Sequence, residues 1–447
     1  MYDLIVIGAG PGGYEAAAHA GRMGKKVALV EQKRVGGTCL NVGCIPAKAW
    51  LRSSRLYREC GEAKLFGVEI GSYRFDMPAV LERKDRVVST LVRGVEGLLK
   101  RAGVEVVNAH ARISDRNRVE TGGEVMEAAN VLVATGSRPA KPPIPGIDGA
   151  GVLDSDVVFD LTEVPSRVAI IGGGYIGLEF ATFFREVGAE VVVLEMLPQI
   201  ASGCDGEVSE RLLQVLQRSG VIFHLSCRVV SVEGGTVRYV DSSGQEGSYS
   251  ADCVLNSTGR LPVVEDVGLE EAGVDFSSRG IRVDRQGKTN VPWIWACGDV
   301  TGQHMLAHVA TREGIVAVNA MFGKPDWVNY DAIPAVIYTH PEVASAGRTE
   351  EELKTAGIPY KKAMVPMSVA GRFLIENEKG TGFVKVLAGA KYGEILGAHA
   401  MGDSASEFIV TAAAFMEAGL SAARAGQVVF PHPTVSEALR EAILQIN

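Results

Sequence analysis

Apolar residues run unbroken through Leu4-Ile5-Val6-Ile7, and again through Val27-Ala28-Leu29-Val30 after a glycine-rich turn and an alanine-rich stretch. Short apolar runs bounded by turns predict buried parallel strands, and the stretch between them predicts a crossover helix. The same succession returns over Arg167 to Glu195. Gly8, Gly10, Gly13, Gly24 and Glu31 each meet the same residue type 164 positions later, at Gly172, Gly174, Gly177, Gly188 and Glu195. Two further apolar strands, leading to Thr135-Gly136 and to Thr258-Gly259, bracket the second unit, and the prolines from Pro139 to Pro145 and at Pro262 predict crossings between domains. From Tyr330 onward, alternating segments at Gly382 to Leu387 and Ile395 to His399 precede a helix around Glu407 to Ala418, which predicts an α+β domain.

A G-x-G-x-x-G turn is weak evidence when it stands alone, but here it follows a strand and opens a helix twice. The first glycine makes the tight turn, the second admits a pyrophosphate to the backbone, and the third packs helix on strand. A pyrophosphate on the helix N-terminus meets unpaired N–H groups and the positive end of the helix dipole. The acid closing the second strand, Glu31 or Glu195, suits a ribose diol. At Glu195 a carboxylate repels a 2'-phosphate and no Arg follows through Cys204, so NAD is expected rather than NADP. The expected fold class is therefore α/β, with two Rossmann-like dinucleotide-binding domains and a C-terminal α+β domain.

A chain of 447 residues exceeds one hydrophobic core, which leaves room for cofactors between domains. Its net charge of -8, without a Lys/Arg run, argues against nucleic acid as a partner. No stretch approaches the length of a membrane span and no export signal opens the chain, so a soluble, cytoplasmic protein is expected, with no membrane partner. Seven dispersed cysteines do not make a secreted disulfide framework, and a cytosolic disulfide is more often catalytic.

Two of these cysteines stand five apart in Gly36-Gly-Thr38-Cys39-Leu-Asn-Val-Gly-Cys44-Ile-Pro46-Ala-Lys48. Pro46 suits a first helical turn, which puts Cys44 at a helix N-terminus where a thiolate is favoured; Cys39 is expected in a more open loop upstream. Lys48, four residues on, shares the helix face of Cys44 and adds positive charge. Two buried free thiols remain an alternative. A metal site is not expected, because no further Cys or His lies at ligand spacing. Cys60, Cys204, Cys227, Cys253 and Cys297 read as structural.

The string GGTCLNVGCIPAK resembles the redox-active segment of the two-dinucleotide flavoprotein disulfide reductases, and is nearest to their dihydrolipoamide-oxidising branch. The resemblance extends over nearly the whole chain, through GGGYIGLEF, TNVPWIWACGDV, MLAHVATREG, YTHPEVASAG and HPTVSEA. It implies FAD on the first repeat, with Gly8, Gly10, Gly13, Glu31, Thr38, Lys48, Ala111, Thr135, Gly136, Asp299, Met305, Leu306, Ala307 and His308 at that site. It implies NAD on the second, with Gly172, Gly174, Gly177, Glu195, Val229 and Gly259. The implied domains are 1–143 and 263–329 for FAD, 144–262 for NAD, and 330–447 for dimerisation.

The resemblance further implies a Cys39–Cys44 disulfide, Glu179 as the partner of Lys48 beside the flavin, and His432 with Glu437 as base and orienter. In the family this histidine reaches the cysteine pair of the other subunit, so a homodimer is implied. The implied reaction is oxidation of a dihydrolipoyl group carried by a protein of a 2-oxo acid dehydrogenase complex or of the glycine cleavage system. Electrons pass from the cysteine pair through FAD to NAD. The alternatives are another NAD(P)H-linked disulfide reductase or, from a different class, a redox-inactive FAD- and NADH-binding sensor. Tyr175 is a candidate gate of the nicotinamide side or, more plainly, a packing residue.

Overall fold

The computed structural model describes residues 1–378 and 380–446. The first apolar run forms the strand Tyr2–Ile7, whose side chains from Leu4 to Ile7 are almost wholly buried, with the strand Val27–Glu31 parallel beside it. Between them lies the helix Pro11–Arg22, with Gly12, Gly13 and its alanines inward. The sheet extends from Glu105–Asn108 through these strands to Glu124–Val133 and Ile294–Ala296, all parallel, before an antiparallel hairpin at 111–121 completes it. The last parallel strand comes from far along the chain. The second nucleotide unit is thus inserted in sequence but not in space.

The second sheet repeats the plan with Val221–His224, Glu190–Leu194, Arg167–Ile171, Cys253–Asn256 and Val152–Asp154, all parallel. Its outer face is covered by a three-stranded meander over 228–250. The two crossings lie side by side, Ser137–Pro139 pairing antiparallel with Arg260–Pro262. A third sheet, antiparallel, runs in the order Pro334–Ile337, Val343–Gly347, Ile395–Met401, Phe383–Gly389, Tyr360–Pro366. The helices Ala405–Glu417 and Glu437–Leu444 pack on one of its faces.

Two expectations are corrected. Cys39 does not lie in an open loop: Gly37–Val42 forms a short helix that leads directly into the helix Cys44–Glu62. The strand Phe383–Gly389 does not alternate between core and solvent, because every one of its residues is buried, Lys385 included. Both its faces are covered, one by helices of its own domain and the other by the second nucleotide unit.

Candidate functional site

The glycines of the two repeats do in space what their spacing requires. Gly8 and Gly172 turn with φ of +102° and +109°, and a Cβ on either would lie 2.3 or 2.4 Å from the carbonyl oxygen of Ala134 or Ser257. A Cβ on Gly13 or Gly177 would lie 1.9 or 2.1 Å from the oxygen of Gly8 or Gly172, so only glycine brings helix and strand this close. Around Gly10 and Gly174 a Cβ would meet nothing within 4 Å, which leaves the open cradle a pyrophosphate needs. The acids also match. Glu31 accepts from the N–H groups of Ala9 at 2.7 Å and Lys33 at 2.8 Å, and Glu195 from those of Gly173 at 2.5 Å and Leu197 at 2.7 Å. Both cradles fit a dinucleotide on this geometry.

Chain-distant segments meet at the first cradle: a Cβ on Gly8 would stand 3.2 Å from Thr135 Cα, and one on Gly37 2.6 Å from Gly10 Cα. Asp299 accepts a hydrogen bond from Ser137 Oγ at 2.5 Å, and Thr135 Oγ1 donates to the carbonyl of Val263 at 2.7 Å. Gly136 turns with φ of +74° between them. Met305 and Leu306 are half-buried ahead of the helix Ala307–Met321, and His308 Nε2 donates to the Pro334 carbonyl at 2.7 Å. Thr38 lies in the short helix with its carbonyl under Gly43, and Ala111 is buried at the start of a hairpin strand. Beside the second cradle, Val229 is buried in the strand Arg228–Glu233 and Gly259 turns with φ of +118°.

Cys39 and Cys44 are both free thiols and half-buried. The Cys39 thiol donates to Cys44, and that hydrogen bond, with the nearby Lys48 ammonium, outweighs burial and lowers the Cys44 pKa to about 7. Cys39 moves the other way: donating its proton to Cys44, and burial, hold it protonated. Lys48 Nζ pairs with both carboxylate oxygens of Glu179, at 2.8 and 2.9 Å, and sits 4.6 Å from the centre of the Tyr338 ring. Burial alone would lower the pKa of Lys48; the Glu179 carboxylate overrides this and raises it. Glu179 lies one turn beyond Tyr175 on the helix Tyr175–Glu186, so this pair ties the cysteine helix to the second cradle.

Aromatic packing holds that junction rigid. Trp50, one turn along from Pro46, is 1% exposed and stacks on Phe183 at 4.6 Å, with Phe159 edge-on at 5.0 Å. Ser54 Oγ and Arg58 Nε bond Glu186 at 2.5 and 3.0 Å, closing the same two helices farther down. Trp295 is a core residue of the first nucleotide unit, and Trp293 packs, partly buried, against the core on the other side of its sheet.

His432 and Glu437 stand apart from this centre on the C-terminal segment. His432 Nδ1 lies 2.9 Å from Glu437 Oε1, while the other carboxylate oxygen accepts the Thr434 N–H at 2.9 Å. The Thr434 N–H, then His432, lower the Glu437 pKa, so the carboxylate is ionised and the Nδ1 of His432 carries the proton. In the neutral ring that tautomer leaves Nε2 as an acceptor, on a side chain 76% exposed.

Sequence reasoning missed two features here. Tyr175 Oη sits 3.5 Å from Cys204 Sγ, and Lys385 is fully buried among carboxylates of the second nucleotide unit. Among the described residues no group of three or more His, Cys, Asp or Glu is arranged to hold a metal ion, and no helix is long and apolar enough to cross a membrane.

Residues 2–314 match the family model described as pyridine nucleotide-disulphide oxidoreductase, and residues 333–443 match the dimerisation domain of that family. The chain belongs to the pyridine nucleotide-disulphide oxidoreductase family. It is 41% identical to dihydrolipoyl dehydrogenase 3 of Pseudomonas aeruginosa over all of this chain and 98% of the relative. It is 40% identical to the mitochondrial dihydrolipoyl dehydrogenase of Dictyostelium discoideum, over 99% and 93% of the two chains. Among solved structures, LpdA of Mycobacterium tuberculosis superposes with a TM-score of 0.91 at 25% identity, covering 99% of each chain. The HOCl-induced flavoprotein disulfide reductase RclA of Escherichia coli does so with a TM-score of 0.87 at 26% identity, covering 100% of each.

Proposed function

We propose that the protein is an FAD- and NAD-dependent dihydrolipoyl dehydrogenase in which Cys39 and Cys44 form the redox pair. The observation that carries this reading is the thiol pair itself, with Cys44 lowered to about 7 beside the Lys48–Glu179 ion pair at the junction of two dinucleotide cradles. In the oxidised enzyme a dihydrolipoyl thiolate attacks Cys39 Sγ, the Cys39–Cys44 bond breaks, and Cys44 leaves as the thiolate. A leaving thiol of low pKa departs faster, which favours this polarity over the reverse. The second substrate thiolate then displaces Cys39, closing the lipoyl disulfide. His432 Nε2 takes a substrate thiol proton, and Glu437 holds the ring in the required tautomer and steadies its charged form. FAD held by the first cradle would supply the two-electron relay between the Cys39–Cys44 dithiol and NAD held by the second.

The assignment of FAD to the residues around Gly8, Gly10, Gly13, Glu31 and Asp299, and of NAD to those around Gly172, Gly174, Gly177 and Glu195, rests on the two cradles and their matched acids. The domain divisions 1–143, 144–262, 263–329 and 330–447 belong to the same reading. A homodimer is supported by the dimerisation-domain match and by a base, His432, that is exposed on its own subunit and needs a cysteine pair to serve. The lipoyl arm of a multienzyme complex is supported by the names of the relatives, and the cytoplasm by the dispersed cysteines.

The test is an anaerobic assay of dihydrolipoamide with NAD and with NADP, in the wild type and in Cys44→Ser. Turnover with NAD, a strong preference over NADP, and loss of dithiol turnover in Cys44→Ser are expected. Wild-type turnover of other disulfides with NADPH but not of dihydrolipoamide would assign another reductase of the family, and no dithiol turnover at all would leave a sensor.

A further inference from the structure

The third sheet carries an unusual file of side chains across its strands on the face turned to the second nucleotide unit. Register places Ala335 opposite Ser345, Ser345 opposite His399, and His399 opposite Lys385. Lys385 is 0% exposed, and its ammonium lies 2.9 Å from both oxygens of Asp205, 2.6 Å from Glu207 and 2.6 Å from Glu350. Asp205, itself 0% exposed, caps the helix Gly206–Arg218 through the Glu207 N–H and also accepts the N–H of Glu350. Apolar residues of similar volume often fill such sites without loss of stability, so a buried cation cluster is weak evidence for a purely stabilising role.

Asp205 ends a tight turn that reaches the second cradle. Residues 201–205 form a tight loop in which Ala201 has φ of +46°, donates its N–H to the Gly173 carbonyl at 2.8 Å, and accepts the N–H of Cys204 at 2.8 Å. The Tyr175 hydroxyl is seated in that loop: Cys204 Sγ is 3.5 Å away, and a Cβ on Gly203 would stand 3.3 Å from the hydroxyl oxygen. Tyr175 begins the helix of the second cradle and lines a cavity against the third sheet, together with His304, Leu306, Ser345 and His399. His399 is buried, donates from Nε2 to the Arg348 carbonyl at 3.0 Å, and has an Nδ1 with no partner among the described residues. One turn on from Tyr175, Glu179 reaches Lys48.

We propose that the Lys385 cluster is a positioning device for the hydride half of the reaction: it clamps the 201–205 turn to the third sheet, and the turn fixes Tyr175 beside the NAD cradle. The inference rests on the proposed function and adds to it a residue that touches neither cofactor nor substrate. The turn is held at both ends, by Gly173 of the cradle and by Lys385 of the neighbouring domain, so releasing one end frees the Tyr175 seat without touching the cysteine pair.

The experiment separates the two half-reactions. Reduction of the enzyme by dihydrolipoamide and its reoxidation by NAD are followed by stopped-flow in wild type, in Gly203→Ala, and in the double variant Lys385→Met with Asp205→Asn, which removes both charges of the fully buried pair. Binding of NAD is measured in parallel by calorimetry, and exchange of the amides of residues 201–207 by hydrogen–deuterium exchange. In both variants NAD binding and the reoxidation rate fall by about tenfold or more, as expected when a positioning contact shifts by a fraction of an ångström, while reduction by dithiol is unchanged. The double variant also exchanges 201–207 faster. If both half-reactions fall together, or if neither falls in a folded, FAD-replete Gly203→Ala, the proposal is overturned. A wild type that dithiol does not reduce at all would overturn the functional reading instead.

Discussion

At Cys44 the lowered pKa has a sign that carries into stability and reactivity. In the reduced protein its folded value of about 7 lies below the ordinary 9.0, so folding favours the thiolate. The stability it contributes is complete above pH 9 and is lost as the pH falls through 7. Between these limits the reduced wild type gains denaturant resistance relative to Cys44→Ser, by at most about 1.4 kcal/mol per pH unit. A flat difference would deny the shift. Replacing Lys48 by Met removes the charge that helps the Cys39 hydrogen bond lower Cys44, so the midpoint for alkylation of the reduced enzyme by iodoacetamide moves upward. His432→Gln slows dithiol oxidation by roughly 10² to 10⁴, the usual worth of a positioned base, and leaves reduction of a dye by NADH intact. The His432–Glu437 bond was legible because both residues lie in one short segment whose chemistry the family constrains. The contact of Tyr175 with Cys204 was not: nothing in a cysteine's own neighbours tells which side chain a distant turn will bring to it.

At the scale of elements, the two glycine turns are equal in shape and separable in function. Alanine at Gly13 or Gly177 would force a Cβ against a backbone oxygen at 1.9 or 2.1 Å, so helix and strand must part in either case. Overpacking costs at least about 1–3 kcal/mol, more where the clash is with backbone, and each substitution strains one cradle only. Gly177→Ala therefore keeps its yellow colour and loses NAD affinity in calorimetry, whereas Gly13→Ala is purified with FAD depleted; the reverse pattern would exchange the two sites. Trp50→Ala opens a cavity between the cysteine helix and the helix that carries Glu179. About 3–5 kcal/mol of stability is lost, read by denaturant unfolding, and the Lys48–Glu179 pair loses its rigid support. The repeat was readable because a pyrophosphate and a ribose dictate residue identity at fixed offsets. The strand Phe383–Gly389 was misread because a lysine between apolar neighbours has the pattern of a half-exposed strand, and its carboxylate partners stand up to 180 residues away. The meander over 228–250 was likewise invisible to a search for helix-linked strands.

At the scale of the molecule, the proposed base lies on an exposed stretch of the C-terminal domain. His432 is exposed and follows Val429, whose side chain is 91% exposed, while Val369, Leu374, Ile375 and Val410 add further bare apolar area to the same domain. Exposed apolar side chains of this kind fit a surface that a partner covers, and the dimerisation-domain match supports a second copy of the chain as that partner. The obligate dimers of such domains bury roughly 2,000–5,000 Å², so a single charge weakens rather than abolishes the contact unless it stands at the centre. Val429→Glu tests this with little cost to the isolated subunit, because the side chain touches almost nothing within its own chain. Sedimentation at micromolar concentration should show monomer, or a monomer–dimer equilibrium that dilution shifts. Dithiol turnover then falls with the dimer fraction as the enzyme is diluted, since each base lacks its cysteine pair. NADH-to-dye turnover uses only one subunit's cofactors and stays constant per subunit. A monomeric variant that still oxidises dihydrolipoamide at the wild-type rate would place His432 beside the thiols of its own chain.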